Sequence, residues 1–347
     1  MTATLRQQIG CWVHERWRTE LVLRVPGFPW LDLCNRHESL TKTDSGRARA
    51  CNWSDTSPLT VCRLFPATGA RLLRHCLTQW PIRFAEPPQA SFGAPDLSLI
   101  IAFRGTARLP QLRCCLASLW GQFGVSLEII LVEQSWDSLL DATQVPGVRL
   151  VHARSTSPDM PFNKSWALNV GARLARSDIL LFHDADMLAP HGYAQAVLDL
   201  IARGFAGARL PRLIFYLDAP STVSVQTRQS LDHIGFVSDI QSNGRIPLTM
   251  TKQAYWDIGG HDESFYGWGG EDDEILQRAE TLRLYPGAFL PFIHLWHPSQ
   301  PEKHAGLTER ESFIRQKMEV PPTQRMSSLL QYRPGDLAGP WCRTQSA

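Results

Sequence analysis

The stretch DILLFHDAD, Asp178 to Asp186, decides the fold. An apolar run ends abruptly in a histidine and two aspartates spaced by two. The run is long enough for a buried strand and short for a helix, so the acids fall at a strand's carboxyl end. Just upstream, FNKSWALNVGARLA (Phe162 to Ala175) reads as a helix. LEIILVE (Leu127 to Glu133) and LSLIIAF (Leu97 to Phe103) are continuous apolar runs of strand length, and VRLVHA (Val148 to Ala153) is a third, more polar one. Between the first two, LPQLRCCLASLWGQ (Leu109 to Gln122) spaces Leu112, Cys115, Leu116 and Leu119 as a helix does, with Cys114 and Cys115 in or near the core. Strands alternating with helices predict an α/β fold with a mostly parallel sheet covered by helices on its faces. Ligands of such sheets sit beyond the carboxyl ends of the strands. That topology gathers Arg104, Glu133, Asp184 and Asp186 at one edge.

Away from this region the signals thin out. VLRV (Val22 to Val25) reads as a short strand and ARLLRHCLTQW (Ala70 to Trp80) as a helix. AEPPQASFGAPD, residues 85–96, is rich in Pro, Ala and Gly and suits a linker. The expected organisation is an N-terminal accessory region over 1–84, the linker over 85–96, the main domain over 97–310 and a C-terminal tail over 311–347, irregular after about Glu319. Five of the eight cysteines fall in the first 80 residues, at 11, 34, 51, 62 and 76, but none forms a C-x-x-C pair. Buried free thiols are preferred over a zinc site built with His37 or His75.

The totals exclude several classes. A net charge of +2 over 347 residues is low for a general nucleic-acid binder. No run of 18 apolar residues offers a membrane span, which leaves peripheral association open, and the N-terminus has no secretory apolar core. A cytoplasmic protein with reduced cysteines is the expectation. G-x-G-x-x-G after the first strand and G-x-x-x-x-G-K-[ST] are both absent, against a dinucleotide oxidoreductase or a P-loop NTPase.

Three constellations could carry chemistry. In HDADM, Asp184 and Asp186 are hard oxygen ligands suited to Mg²⁺ or Mn²⁺, though aspartate is also common in polar loops after strands. In PFIHLWHP, His294 and His297 are three apart and could face one side of a turn, with His304 a further candidate. In YGWGGEDDE, Tyr266 to Glu274, three glycines and a tryptophan precede four acids. A helix from about Glu271 to Leu284 accounts for one or two of those acids through its N-terminal dipole. It does not account for Trp268 among glycines, which suits close approach of the backbone to a ligand.

The order FRG, FNKSWALNVG, LLFHDADMLAP, GWGGEDDE and His-x-x-His resembles the β1,4-galactosyltransferases, the polypeptide N-acetylgalactosaminyltransferases and the chondroitin-type polymerases. These are GT-A glycosyltransferases, Rossmann-like folds with a mostly parallel mixed sheet flanked by helices, and the resemblance runs from about Leu97 to His304. It implies an inverting, metal-dependent transfer of a hexose, galactose or N-acetylgalactosamine, from a UDP-sugar donor to a hydroxyl of a glycan or glycoconjugate acceptor, with Mn²⁺ or Mg²⁺. Assembly of a bacterial surface polysaccharide is the expected setting. By the same resemblance Phe103, Arg104, Glu133, Phe162, Lys164 and Asp184 would line the nucleotide site. Asp186 and His297 would hold the metal, with His294 where some members have a second ligand. Trp268, Gly270, Glu271 and Asp273 would bind sugar, and Asp272 would be the catalytic base. Glu133-Gln134 departs from the acidic pair common in related enzymes, and the first 90 residues match nothing in the family. The alternatives are a metal-dependent nucleotidyltransferase or sugar-nucleotide hydrolase, and a non-catalytic glycan-binding relative.

Overall fold

The structure is a computed structural model that describes residues 4–43, 46–51, 57–88, 93–267, 269–298 and 307–340. The chain opens with α1 (Leu5–Cys11), a π-helical turn (Trp12–Arg16) and α2 (Trp17–Arg24), then a short ribbon of β1 (Leu40–Lys42) and β2 (Arg49–Cys51). β3 (Ser57–Leu59), α3 (Val61–Leu64) and α4 (Pro66–Gln79) follow. The α/β core runs through β4 (Leu97–Phe103), α5 (Leu109–Trp120), β5 (Leu127–Ser135), β6 (Arg149–Arg154), α6 (Lys164–Leu174), β7 (Ile179–Phe182), β8 (Met187–Leu188) and α7 (Tyr193–Ala202). The rest is β9 (Gly207–Ala208), β10 (Pro211–Leu217), α8 (Ala219–Arg228), β11 (Val237–Ser242), β12 (Leu248–Thr251), α9 (Lys252–Asp257), α10 (Glu271–Ala279), β13 (Leu284–Tyr285), β14 (Leu290–His294), α11 (Leu307–Glu319) and α12 (Pro322–Leu329).

The main sheet has the order β13-β9-β12-β7-β4-β5-β6. β6, β5, β4 and β7 are mutually parallel, and β12 closes against β7 antiparallel. The sheet is buried on both faces, which is why its strands read as unbroken apolar runs. Leu97, Leu99, Ile101 and Phe103 of β4 pack with α5 and α7 on one side, while Ile100 packs with Trp166 and Leu168 of α6 on the other. Asn163 caps α6 by accepting from the Trp166 amide. Gly171 lets α6 sit close on the sheet, because a Cβ there would lie 2.4 Å from Ile100 Cγ2.

A second sheet, β3-β11-β10-β14-β8, stands beside the first. Its core joins Leu213, Phe215, Ile240 and Ile293 to Leu72, Leu73 and Cys76 of α4. The N-terminal region therefore contributes a strand and a helix to the same packed unit.

Several local readings change. Val22–Val25 is not a strand: Val22 to Arg24 belong to α2, whose buried residues are Thr19, Glu20 and Val22, and Val25 follows the helix. The chain after Glu319 forms α12, started by Pro322 in its first turn, where the missing N–H costs nothing. Helix α10 stops at Ala279, short of Leu284. The strand before the acids ends at Phe182, so His183 to Asp186 form a turn. Cys114 and Cys115 are buried as expected, and every described cysteine is a free thiol.

Candidate active site

The strand order 6-5-4-7 reverses direction between β4 and β7, and ligands of open α/β sheets bind at such a switch point. A cavity of about 640 Å³ opens there, walled on one side by Ala102 and by Asp184 to Asp186 of the turn and on the other by the second sheet.

The turn sends the two aspartates in different directions. Asp184 Oδ1 lies 3.0 Å from Lys164 Nζ. Asp186 is nearly fully buried and faces the end of β14, where His294 Nε2 is 3.6 Å from Oδ1 and His297 Nε2 is 3.3 Å from Oδ2. The Leu295 amide donates to the Asp186 carbonyl at 2.8 Å, which fixes the two segments together. Ligand atoms of Asp186, His294 and His297 all lie within 4.8 Å of one another, the one such group among the described residues. The donor set fits a divalent ion. A single carboxylate and two imidazoles supply mixed O and N ligands, and His297 Nδ1 meets the Pro298 carbonyl at 2.8 Å, which leaves Nε2 as the free nitrogen. His294 is held by stacking on Tyr216 at 4.6 Å between ring centroids. The histidines thus converge from a strand end and the coil after it, not from a helical turn.

Across the cavity stands the start of α10. Gly267, Gly269 and Gly270 have φ of 75°, 97° and 91°, a region that side chains disfavour, so the glycine run is first a backbone requirement. It sets down four acids that meet three kinds of surroundings. Lys164 Nζ lies 3.2 Å from Asp272 Oδ1 and 3.6 Å from Glu271 Oε1, in addition to Asp184. Asp273 pairs with Arg245. Glu274 turns into the core and pairs with Arg278 and Arg325. Burial pushes the Asp272 carboxyl up, Lys164 opposes the shift, and Glu271 and Asp184 reinforce it, bringing it to about 7. Burial also disfavours charge on Lys164, but Asp184, Asp272 and Glu271 outweigh it and hold the ammonium well above its ordinary value.

Of the residues singled out in the sequence, Phe162, Lys164, Asp184, Asp186, Gly270, Glu271, Asp272, Asp273, His294 and His297 line the cavity. Three others do not reach it. Phe103 is buried in the core beneath β4. Arg104 donates instead to the Met160 carbonyl at 2.7 Å. Glu133 is fully buried, and its carboxylate accepts from the Ser135 and Ser138 hydroxyls and the Leu139 and Leu140 amides, so it organises the loop after β5. Trp268 and His304, and residues 89–92 of the proposed linker, lie outside the described residues.

The sequence reading missed Arg108, Tyr216, Gln241 and Arg245. Arg108 Nη1 donates to Asp186 Oδ2 at 3.0 Å. It sits at the start of α5, four residues after the arginine singled out. Tyr216 donates to Gln241 Oε1 at 2.6 Å, and the two belong to strands β10 and β11 of the second sheet, whose place beside the site no local pattern announces.

Residues 230–287 match the family described as the N-terminal domain of galactosyltransferase. The match takes in β11, the glycine loop and Asp272. The chain is also 28% identical over 125 residues to beta-1,4-galactosyltransferase 5 of Homo sapiens, and equally so to the protein of that name in Mus musculus. These alignments cover 35% of this chain but only 26% of each relative. Together with the mixed α/β fold, the likeness supports a glycosyltransferase of the galactosyltransferase group.

Proposed function

We propose that the protein is an inverting, metal-dependent glycosyltransferase that moves galactose or N-acetylgalactosamine from a UDP-sugar to a hydroxyl of a glycan or glycoconjugate. The observation that carries this reading is the pairing, across one cavity, of a carboxylate held near neutrality with a divalent donor set. Asp272 would accept the proton of the acceptor hydroxyl. A base whose pKa lies near 7 is well matched to that task, since about half of it is deprotonated at neutral pH and it is basic enough to take a proton. Lys164 holds Asp272 and Asp184 in place and keeps a positive charge beside the cavity. Glu271, Asp273 and Arg245 offer hydrogen bonds to sugar hydroxyls.

Asp186, His294 and His297 would hold Mn²⁺ or Mg²⁺, which would supply charge stabilisation for a leaving diphosphate. Arg108, already on Asp186, adds a second cation on the same side. A glycosidase needs a pair of carboxylates acting as acid and base, whereas UDP leaves readily and one base suffices. The setting we carry with this reading is cytoplasmic assembly of a bacterial surface polysaccharide.

The test is a calorimetric titration of the protein with UDP, with and without Mn²⁺, followed by a donor screen that reads UDP release. UDP binding that requires the ion and turnover of a UDP-hexose only with an acceptor support the proposal. UDP release without an acceptor points to a sugar-nucleotide hydrolase, and glycan binding without UDP binding to a non-catalytic relative. Asp186→Ala and His297→Ala should each weaken ion-dependent UDP binding by roughly tenfold or more. Unchanged ion dependence in both would remove the metal assignment.

A further inference from the structure

The first helical stretch of the chain carries an apolar stripe on its outer side. Leu5, Ile9, Trp12, Val13 and Trp17 are 73%, 55%, 47%, 56% and 41% exposed. Their positions are not scattered. At about 100° per residue, Leu5, Ile9, Trp12 and Val13 fall within an arc of about 100° of the helix. Trp17 would then lie about 120° away, but the π turn at Trp12–Arg16 takes up one extra residue and returns it to within roughly 20° of Leu5. The opposite side is fixed to the body of the protein. Cys11 and Val22 are buried in the second core, and Glu15 accepts from the Val61 amide at 3.1 Å.

The charges around the stripe are of one sign. Arg6, Arg16, Arg18 and Arg24 stand on this stretch, with Arg24 well exposed. Its two acids face inward: Glu15 and Glu20 are buried, and Glu20 is surrounded by Arg16, Arg24 and Arg71. The exposed face therefore combines aliphatic side chains, two tryptophans and arginines, with no exposed carboxylate. A hydrocarbon layer would cover the apolar stripe, tryptophan suits the level of lipid headgroups, and arginines flanking the stripe suit anionic ones.

We propose that residues 5–24 dock the protein in the plane of an anionic membrane surface, with Leu5, Ile9, Trp12, Val13 and Trp17 in the headgroup–acyl boundary. The docking does not depend on the catalytic reading, since none of these residues lines the cavity. It requires no spanning segment, and no described helix is long and apolar enough to cross a bilayer.

The experiment is co-sedimentation of the full chain with vesicles of equimolar phosphatidylglycerol and phosphatidylcholine, and with phosphatidylcholine alone. The wild type should pellet with the anionic vesicles and only weakly with the neutral ones, and added salt should release it. The double variant Ile9→Asp, Val13→Asp should bind roughly tenfold more weakly or less, with an unchanged melting temperature because both side chains are exposed. Arg6→Gln keeps the stripe intact and should weaken only the anionic binding, by about fivefold. Failure to pellet, or equal binding by the double variant, would overturn the proposal. So would a concentration-dependent dimer in sedimentation equilibrium that the double variant abolishes, because a second copy of the chain would then cover the stripe.

Discussion

Asp272 and Glu274 stand two residues apart in the first turn of α10, and their carboxylates meet opposite conditions. Glu274 is fully buried and receives two guanidiniums, with Arg278 Nε at 2.7 Å and Arg325 Nη1 at 2.7 Å. Around Asp272 the ratio is reversed, since the single Lys164 ammonium serves Asp184, Glu271 and Asp272 together. The acidic run is thus not one feature. Its core half is more than neutralised and holds α10 against α12. In its cavity half, burial lifts the Asp272 carboxyl first, and Glu271 and Asp184 add to the rise because the one ammonium does not offset them. A helix dipole alone would treat both acids alike.

The sharpest way to break this comparison is to remove each charge in turn. Asp272→Asn should lower transfer by roughly 10²–10⁴-fold, the usual worth of a general base, and should not lower stability. The sign follows from linkage. The Asp272 carboxyl sits at about 7 in the folded protein against an ordinary value of 3.8. The folded chain therefore holds a proton that the unfolded chain releases between those values, and stability is lost as pH rises through that window. The amide cannot ionise, so the variant's melting temperature should match or exceed the wild type's above neutrality, and the two should converge in acid. Near-normal UDP release by Asp272→Asn would sink the assignment of the base.

Glu274→Gln should do the reverse. It leaves Arg278 and Arg325 buried with less charge than they need, and it should cost about 3–5 kcal/mol of stability by denaturant titration. A loss below about 1 kcal/mol would mean that backbone carbonyls already satisfy the arginines, since Arg278 Nη1 also donates to the Ile258 and Gly260 carbonyls.

The pH profile sharpens the comparison without mutation. If Asp272 must be ionised, transfer should fall about tenfold per unit as pH drops below about 7. A flat profile down to about pH 5 would show that the group controlling the rate is an ordinary carboxylate.

The two halves of the acidic run also differ in how far the sequence discloses them. The parallel strands β4, β5 and β7 were legible because burial on both faces writes an unbroken apolar run. The positions of Asp184, Asp186 and Asp272 were legible because a strand end and a helix start are places where local pattern fixes the backbone. What was not legible depends on partners distant in sequence. Glu133 looked like a site residue because it ends a central strand, but the loop that follows folds back to take up its carboxylate. Arg104 drew attention because it directly follows β4, but it is Arg108, at the start of α5, that reaches Asp186. Tyr216 and Gln241 enter only because the second sheet packs against the mouth of the first, and Arg245 comes from the segment that links the two sheets between β11 and β12. No spacing within Asp272–Glu274 says which acid faces Lys164 and which faces Arg325, since Arg325 arrives from α12, a segment whose prolines suggested irregular chain.

The smallest expected effect isolates the one cation that the cavity acids share. Lys164 is the group that opposes the rise of the Asp272 carboxyl, while Glu271 and Asp184 promote it. Removing the ammonium should therefore move the acidic limb of the rate profile to higher pH. Lys164→Gln keeps a hydrogen-bond donor near both aspartates and changes mainly the charge. Its transfer rate should approach that of the wild type in alkaline buffer and fall behind it progressively as pH drops, because more of Asp272 is protonated at each pH. A uniform loss across all pH values, with the limb unmoved, would mean that Lys164 acts by gripping the donor and not through Asp272. A limb moved to lower pH would contradict the sign of the interaction itself. In that event the three carboxylates would have to be balanced by some other cation at the cavity, with Arg108 and Arg245 the first to substitute.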